Sequence, residues 1–389
     1  MASVVFYFQV HQPFRLRRYT IFDTDTRYFD DTHNEEILSK VADKCYLPAN
    51  AAIADLIDKH DGDFRVSYSV TGTAIEQFRK WRPDVLESFQ ALAKTGCVEF
   101  IAETYYHSLV FLYNRNEFIS QTRRHHDLTS ELFGQEPRVF RNTELTYNND
   151  VARVVRDLGY HTILTEGADH ILGYRSPNFL YHPPGCEDLH IMLKNYRLSD
   201  DIAFRFSNRT WSEWPLTAEK FANWVSRING NGFVCNLFMD YETFGEHQWT
   251  ETGIFDFLTA LPDAMFDAGD NDFLTVSQAV ERYPSVGEMD VPHMISWADT
   301  ERDISAWLGN SMQANALHDV NAMADDVLAS GDSELIHQWR LLQSSDHFYY
   351  MCTKWFDDGD VHTYFNPYES PYEAYINYMN ILDNVRARL

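Results

Sequence analysis

Phe233-Val234-Cys235-Asn236-Leu237-Phe238-Met239 is a seven-residue run with one polar member, and it ends on Asp240-Tyr241-Glu242. Such a run is shorter than an ordinary buried helix, and its apolar density fits a strand covered on both faces. A charge placed directly after it is costly unless that charge is paired or put to use. The same grammar recurs along the chain. Residues 3–10 lead into His11-Gln12-Pro13, and residues 64–70 close on Thr71-Gly72. A short strand ends near Glu99, with Glu103 just beyond, and residues 138–141 end in Asn142-Thr143-Glu144. Residues 161–165 and 272–276 read as further strands, and helical stretches near 51–59, 74–93, 115–132 and 151–158 lie between. Short apolar strands alternating with helices predict a mostly parallel α/β fold, a closed or nearly closed β/α barrel.

The pattern changes after about residue 285. Residues 304–330 and 332–350 read as helices parted by Gly331-Asp332, and Ser370-Pro371-Tyr372-Glu373 reads as a capping box opening a last helix. Arg386 and Arg388 sit where they favour the end of that helix. The expected division is a barrel over residues 1–285 and a helical domain over 286–389 that packs on it and completes the cleft.

Composition narrows the class of function. The chain has 389 residues, 44% of them hydrophobic, enough for a large core. Its formal charge of -26 repels a phosphate backbone or an anionic membrane surface, but not a neutral polysaccharide. Nucleic acid and membrane partners are therefore not expected. Five cysteines, an odd number without a CxxC pair, argue against a disulfide framework and for reduced thiols in a cytoplasm. The opening residues read as a strand rather than a signal peptide, and no apolar run reaches membrane-spanning length. Aromatic residues reach 15%, which serves core packing and also suits a sugar-binding cleft, where ring faces meet pyranose C–H faces.

In β/α barrels the strand C-termini form one face, and that face carries the active site. The polar groups after the strands, distant in sequence, would converge there. Two carboxyls in different environments suit glycoside hydrolysis: one attacks the anomeric carbon and the other carries a proton, which needs a raised pKa. The apolar approach to Asp240 favours it as the proton carrier. His11, His107, His125, His126, His182, His247 and His293 are metal ligands on paper, yet no HxH, HExxH or Cys/His spacing joins them, so no metal is expected. There is no P-loop, no GxGxxG and no GxSxG.

These residues together resemble glycoside hydrolase family 57, in particular its α-amylase-like branch, over nearly the whole chain. The resemblance rests on His11-Gln12-Pro13, on Gly96-Cys97-Val98-Glu99, on Phe140-Arg141-Asn142-Thr143-Glu144-Leu145, on the stretch from Phe238 through Asp240 to His247, and on Ser296-Trp297-Ala298-Asp299-Thr300-Glu301-Arg302-Asp303. It implies a distorted TIM-type (β/α)7 barrel followed by a helical bundle, a retaining mechanism on α-glucosidic bonds of starch, glycogen or maltooligosaccharides, and no obligatory cofactor. Glu144 and Asp240 match the catalytic pair. His11 and Glu99 are expected on sugar hydroxyls, and His247 and Trp249 beside the acid or an acceptor. Asp299 and Asp303 are expected to reach in from the helical domain, and Trp211, Trp214, Trp297 and Trp307 to serve as stacking platforms or as packing. A 4-α-glucanotransferase would use the same two carboxylates. A polysaccharide deacetylase, which Asp30-Asp31 loosely resembles, and a catalytically silent glucan-binding protein are the other readings.

Overall fold

The computed structural model describes residues 2–354 and 366–389. Its strands are β1 (Ala2–Val10), β2 (Val66–Val70), β3 (Val98–Phe100), β4 (Val139–Arg141), β5 (Thr162–Glu166), β6 (Leu180–His182), β7 (His190–Lys194), β8 (Val234–Asp240), β9 (Asn271–Phe273) and β10 (Ser285–Glu288). Parallel ladders join β3, β2, β1 and β8 in that order, and a second set joins β4, β5 and β7. Two seams close the ring. The Ala102 N–H donates to Val139 and its carbonyl accepts from Arg141, linking β3 to β4; the Asn195 N–H donates to Asn236, linking β7 to β8. Seven parallel strands among the described residues thus form a distorted TIM-type barrel. The distortion is visible at β1, whose upper half pairs with β2 and whose lower residues, Ala2–Val4, pair with β9 on the same edge.

The two-residue period of each strand decides what enters the lumen. In β1, Val4, Phe6, Phe8 and Val10 pack outward against helices, while Val5 and Tyr7 face the lumen. In β8, Phe238 joins the lumen cluster while Leu237 and Met239 face out, so Asp240 falls on the inward parity. The same parity groups Arg141 with Val139, Glu166 with Leu164 and Lys194 with Met192. The lumen is apolar below and charged at its upper rim.

Local signals explain the helices. Thr71, at the end of β2, caps the helix Gly72–Trp81, and Pro83 begins a second one, Pro83–Ala93. The expected single helix over 74–93 is divided there, because the residue before a proline leaves the helical region. Asn148 and Asn195 likewise cap the helices that follow β4 and β7. Beyond β10 come Ser305–Leu308, Ser311–Ala322, Ala324–Ser330, Ser333–Leu341, Ser345–Tyr349 and Pro371–Arg386, more finely broken than expected. Ser370 caps the last of them. A separate apolar core unites these helices, and Leu16, Tyr19, Tyr28 and Leu109 enter it from the N-terminal part of the chain. No helix among the described residues is long and apolar enough to cross a membrane.

Candidate active site

The upper rim of the barrel holds a pocket of about 70 Å³ whose walls include His11, His107, Glu144, Asp240, Glu242 and Trp297. His11 follows β1, His107 follows β3, Glu144 follows β4 and Asp240 ends β8. All arrive from strand C-termini, the face on which barrel enzymes build their sites.

Glu144 stands on a strained turn. It adopts φ 58° and ψ 26°, and Leu145 also has positive φ. Left-handed backbone costs a residue with a side chain about 1–2 kcal/mol. Hydrogen bonds hold the turn: Leu145 and Thr146 donate to the carbonyls of Asn142 and Thr143, and the Asn142 amide donates to Thr146. The carboxylate of Glu144 accepts from Trp297 Nε1 at 2.7 Å on one oxygen and from Ser345 Oγ at 2.9 Å on the other. His107 Nε2 lies 3.3 Å from that second oxygen, and its Nδ1 lies 3.2 Å from Glu103. Burial alone would lower the His107 pKa, but hydrogen bonds to Glu103 and Glu144 outweigh it and raise it to about 9. An imidazolium therefore sits between Glu103 and Glu144 at neutral pH.

His11 stacks on His107 with ring centroids 3.9 Å apart. Its Nε2 lies 2.8 Å from Asp346 and its Nδ1 3.1 Å from Thr71. Burial and the neighbouring His107 charge lower its pKa. Across the pocket, the β1–β8 register sets Asp240 beside Gln9, which donates to Glu103 at 2.9 Å. Asp240 is half-buried, whereas Glu242 is buried. Burial, with Asp240 nearby, pushes Glu242 up to about 8, and Tyr46 donates its hydroxyl to it. Tyr46 belongs to a widened helical turn, Ala42–Tyr46, which packs under the end of β8. At that contact Gly245 has φ 108°, and a Cβ there would lie 1.9 Å from the Lys44 carbonyl oxygen.

Other expected residues lie elsewhere. Glu99 does not reach the pocket: its carboxylate accepts from Ser67 Oγ and from the N–H and hydroxyl of Ser277, at the start of the helix Val276–Arg282. Its expected contact with a sugar hydroxyl is corrected to a capping contact, and Glu103, one turn of chain later, is the acid in the site network. Trp307 is fully buried against Tyr349 in the helical core, so it offers no platform. Trp211 packs on the barrel's outer core beside Trp224. Asp299 accepts from the Thr300 N–H and Asp303 from the Ser305 N–H, local turns outside the pocket walls. Trp214 and Trp249 are exposed, the latter close in sequence to His247, which does line the pocket. Asp30 caps the helix Asp31–Val41 and Asp31 pairs with Lys80, so this pair is occupied by helix chemistry. A larger hollow of about 800 Å³ lies along the exposed side of the helix Arg115–Phe133, away from these carboxyls.

His107, Ser345 and Asp346 complete the arrangement without being expected in it, and Glu242 arrives with the Asp240-Tyr241-Glu242 group expected at this face. Together they give a buried carboxyl held by Trp297, Ser345 and His107, in one pocket with Asp240 and Glu242.

The family model described as Glycosyl hydrolase family 57 matches residues 5–292. A curated relative from Methanocaldococcus jannaschii, named "Putative alpha-amylase", is 45% identical over 97% of this chain and 83% of its own length. Among solved structures, a 4-alpha-glucanotransferase from Thermococcus litoralis superposes with a TM-score of 0.72 at 12% identity, over 100% of this chain and 60% of that one. A branching enzyme from Thermococcus kodakaraensis gives 0.67 at 14% identity, over 90% and 86%. An alpha-amylase from Thermotoga maritima gives 0.65 at 14% identity, over 100% and 93%.

Proposed function

Because this chain belongs to glycosyl hydrolase family 57, we propose that it cleaves α-1,4-glucosidic bonds of starch, glycogen or maltooligosaccharides with retention, using Glu144 as nucleophile and Asp240 as general acid and base. The observation that carries this reading is the Glu144 carboxylate, held by Trp297, Ser345 and His107 on a strained turn that shares its pocket with Asp240. In the first step a Glu144 oxygen bonds to the anomeric carbon as the glycosidic C–O bond breaks, and the Asp240 proton goes to the departing oxygen. In the second, Asp240 takes a proton from water as the water oxygen bonds to that carbon and frees Glu144. A neutral glucan meets no electrostatic barrier at a surface of charge -26.

The test is product analysis with maltoheptaose and soluble starch, beside Glu144→Gln and Asp240→Asn controls. Shorter oligosaccharides with new reducing ends, absent from both controls, support hydrolysis. Longer products at constant reducing ends make the chain a glucanotransferase, which shares the first step. Binding without any product from the unmutated chain overturns the catalytic reading.

A further inference from the structure

Four buried ionisable side chains lie beside the site and take no part in the chemistry above. Glu166 ends β5, Lys194 ends β7, Asp200 is in the helix Tyr196–Ala203, and Arg302 comes from the loop that carries Trp297. Lys194 Nζ donates to Asp200 at 2.9 Å and lies 3.8 Å from Glu166. Arg302 lies 3.4 Å from Asp200 and 3.7 Å from Glu166, and it donates to the backbone carbonyl of Trp297. Burial pushes the Glu166 carboxyl up to about 7 against the pull of Lys194 and Arg302, while Asp200 takes the close contact with Lys194.

The cluster is joined to the indole in more than one way. Lys194 Nζ lies over the Trp297 ring at 5.5 Å from its centroid, and the Arg141 guanidinium, also buried, at 4.9 Å. Trp297 itself packs on the lumen. Its N–H donates to Glu144 Oε2, and its backbone N–H donates to the Glu144 carbonyl. Asp299 and Arg302 both have positive φ, so the loop is held in a conformation that local preference opposes.

We propose that Glu166, Lys194, Asp200 and Arg302 form a positioning device for the reaction: they fix Trp297 over the lumen so that its indole N–H holds the Glu144 carboxylate in its attacking orientation. This rests on Glu144 being the nucleophile. Ion pairs that merely docked the loop would stabilise the fold and leave the nucleophile's behaviour untouched. A positioning device must alter it, because an N–H that donates to a carboxylate favours the charged form. The groups around that carboxylate are His107 with His11 stacked on it, Glu103 from the segment after β3, Arg141 from β4, and Arg15, Asp240, Glu242, His247 and Asp346 in the pocket walls. All stay in place in the variants below.

The experiment is a double-mutant cycle on the full chain with a maltooligosaccharide substrate, using Trp297→Phe, Arg302→Met and the pair. Trp297→Phe keeps the ring and removes the donor. It is expected to lower kcat roughly tenfold to a hundredfold with KM little changed, and to move the acid limb of kcat/KM up by about half a pH unit or more. Arg302→Met is expected to reproduce both effects, the pair to add little, and Arg302→Lys to restore part of the loss. Should Arg302→Met not fold, Lys194→Met replaces it with the same expectation. Mass mapping of the unmutated chain after reaction with a fluorinated α-glucosyl fluoride separates the two readings. Labelling at Glu144 with additive losses and an unmoved acid limb overturns the positioning role alone. Labelling at another residue overturns the nucleophile assignment and this inference with it.

Discussion

Glu242 and Asp240 stand two residues apart, yet the structure gives them different burdens. Burial holds the Glu242 carboxyl up near 8 from an ordinary 4.5, so it is neutral at pH 7, and glutamine imitates that state. Glu242→Gln should keep most activity at neutral pH, where Asp240→Asn abolishes it; initial rates on maltoheptaose decide this. The raised folded pKa also has a stability sign. It favours the fold fully below about 4.5, and that contribution is lost as pH rises to about 8. Thermal melts from pH 5 to 9 should show Glu242→Gln gaining on the unmutated chain as pH rises. Glu99 makes the opposite case: with its carboxylate given to Ser67 and Ser277, Glu99→Ala should cost about 1–3 kcal/mol of stability and leave kcat unchanged. Asp240 is legible because an apolar run stopping on a carboxylate is visible in one dimension, and Glu144 because a short strand closes on the polar turn that carries it. The sequence did not show His107, whose position depends on a turn with φ 50°, or Ser345 and Asp346, which meet the strand ends only through tertiary packing. The one hint was local: Ser344-Ser345-Asp346-His347 is a polar run, and in the fold all four residues are buried.

Elements announced themselves in proportion to their burial. β1, β2, β4, β5 and β8 are buried along nearly all their length; near-continuous apolar runs mark β1 and β8, and short apolar stretches broken by serine, threonine or charge mark the others. β10 alternates half-buried and exposed residues with one apolar member, and β6 is three residues long, so neither carries a periodic signal. β7, His190–Lys194, was missed because His190 and Lys194 bracket only three apolar residues. Without it the ring could not be counted to seven. The turn after β8 gives the sharpest test at this scale. Gly245 combines φ 108° with a backbone oxygen where a Cβ would sit, so Gly245→Ala should cost about 3 kcal/mol or more and displace the Glu242 turn. A lowered denaturation midpoint together with a lowered kcat is the expected result; an unchanged midpoint would remove that glycine from the list of constraints.

At the scale of the molecule, two cores share one site. The barrel supplies His11, His107, Glu144 and Asp240, while Trp297, Ser345 and Asp346 come from the chain beyond the last strand. β10 begins at the expected boundary, Met289, Val291 and Ile295 still pack with residues of β4, β5 and β7, and the first helix beyond starts only at Ser305. Leu16, Tyr19 and Tyr28 pack into the helical core, and Tyr19 donates its backbone N–H to Asn377 at 2.6 Å. An N-terminal loop cannot reveal in sequence that it belongs to a distant core. The net charge of -26 acts on the whole body as self-repulsion. Added sodium chloride screens it, so the melting temperature should rise between about 0.01 and 0.15 M salt, as the screening length falls from about 30 to 8 Å. A flat or falling trend would mean the charges are already balanced locally.

β1 also sets a schedule for synthesis. One of its edges is covered only by β8, which leaves the ribosome more than two hundred residues later. At about 5–20 residues per second that edge stays bare for about 10–45 s. An apolar strand with an open edge is a template for the wrong partner. This first strand of the barrel wall is thus the part of the newborn chain that most needs a chaperone's cover.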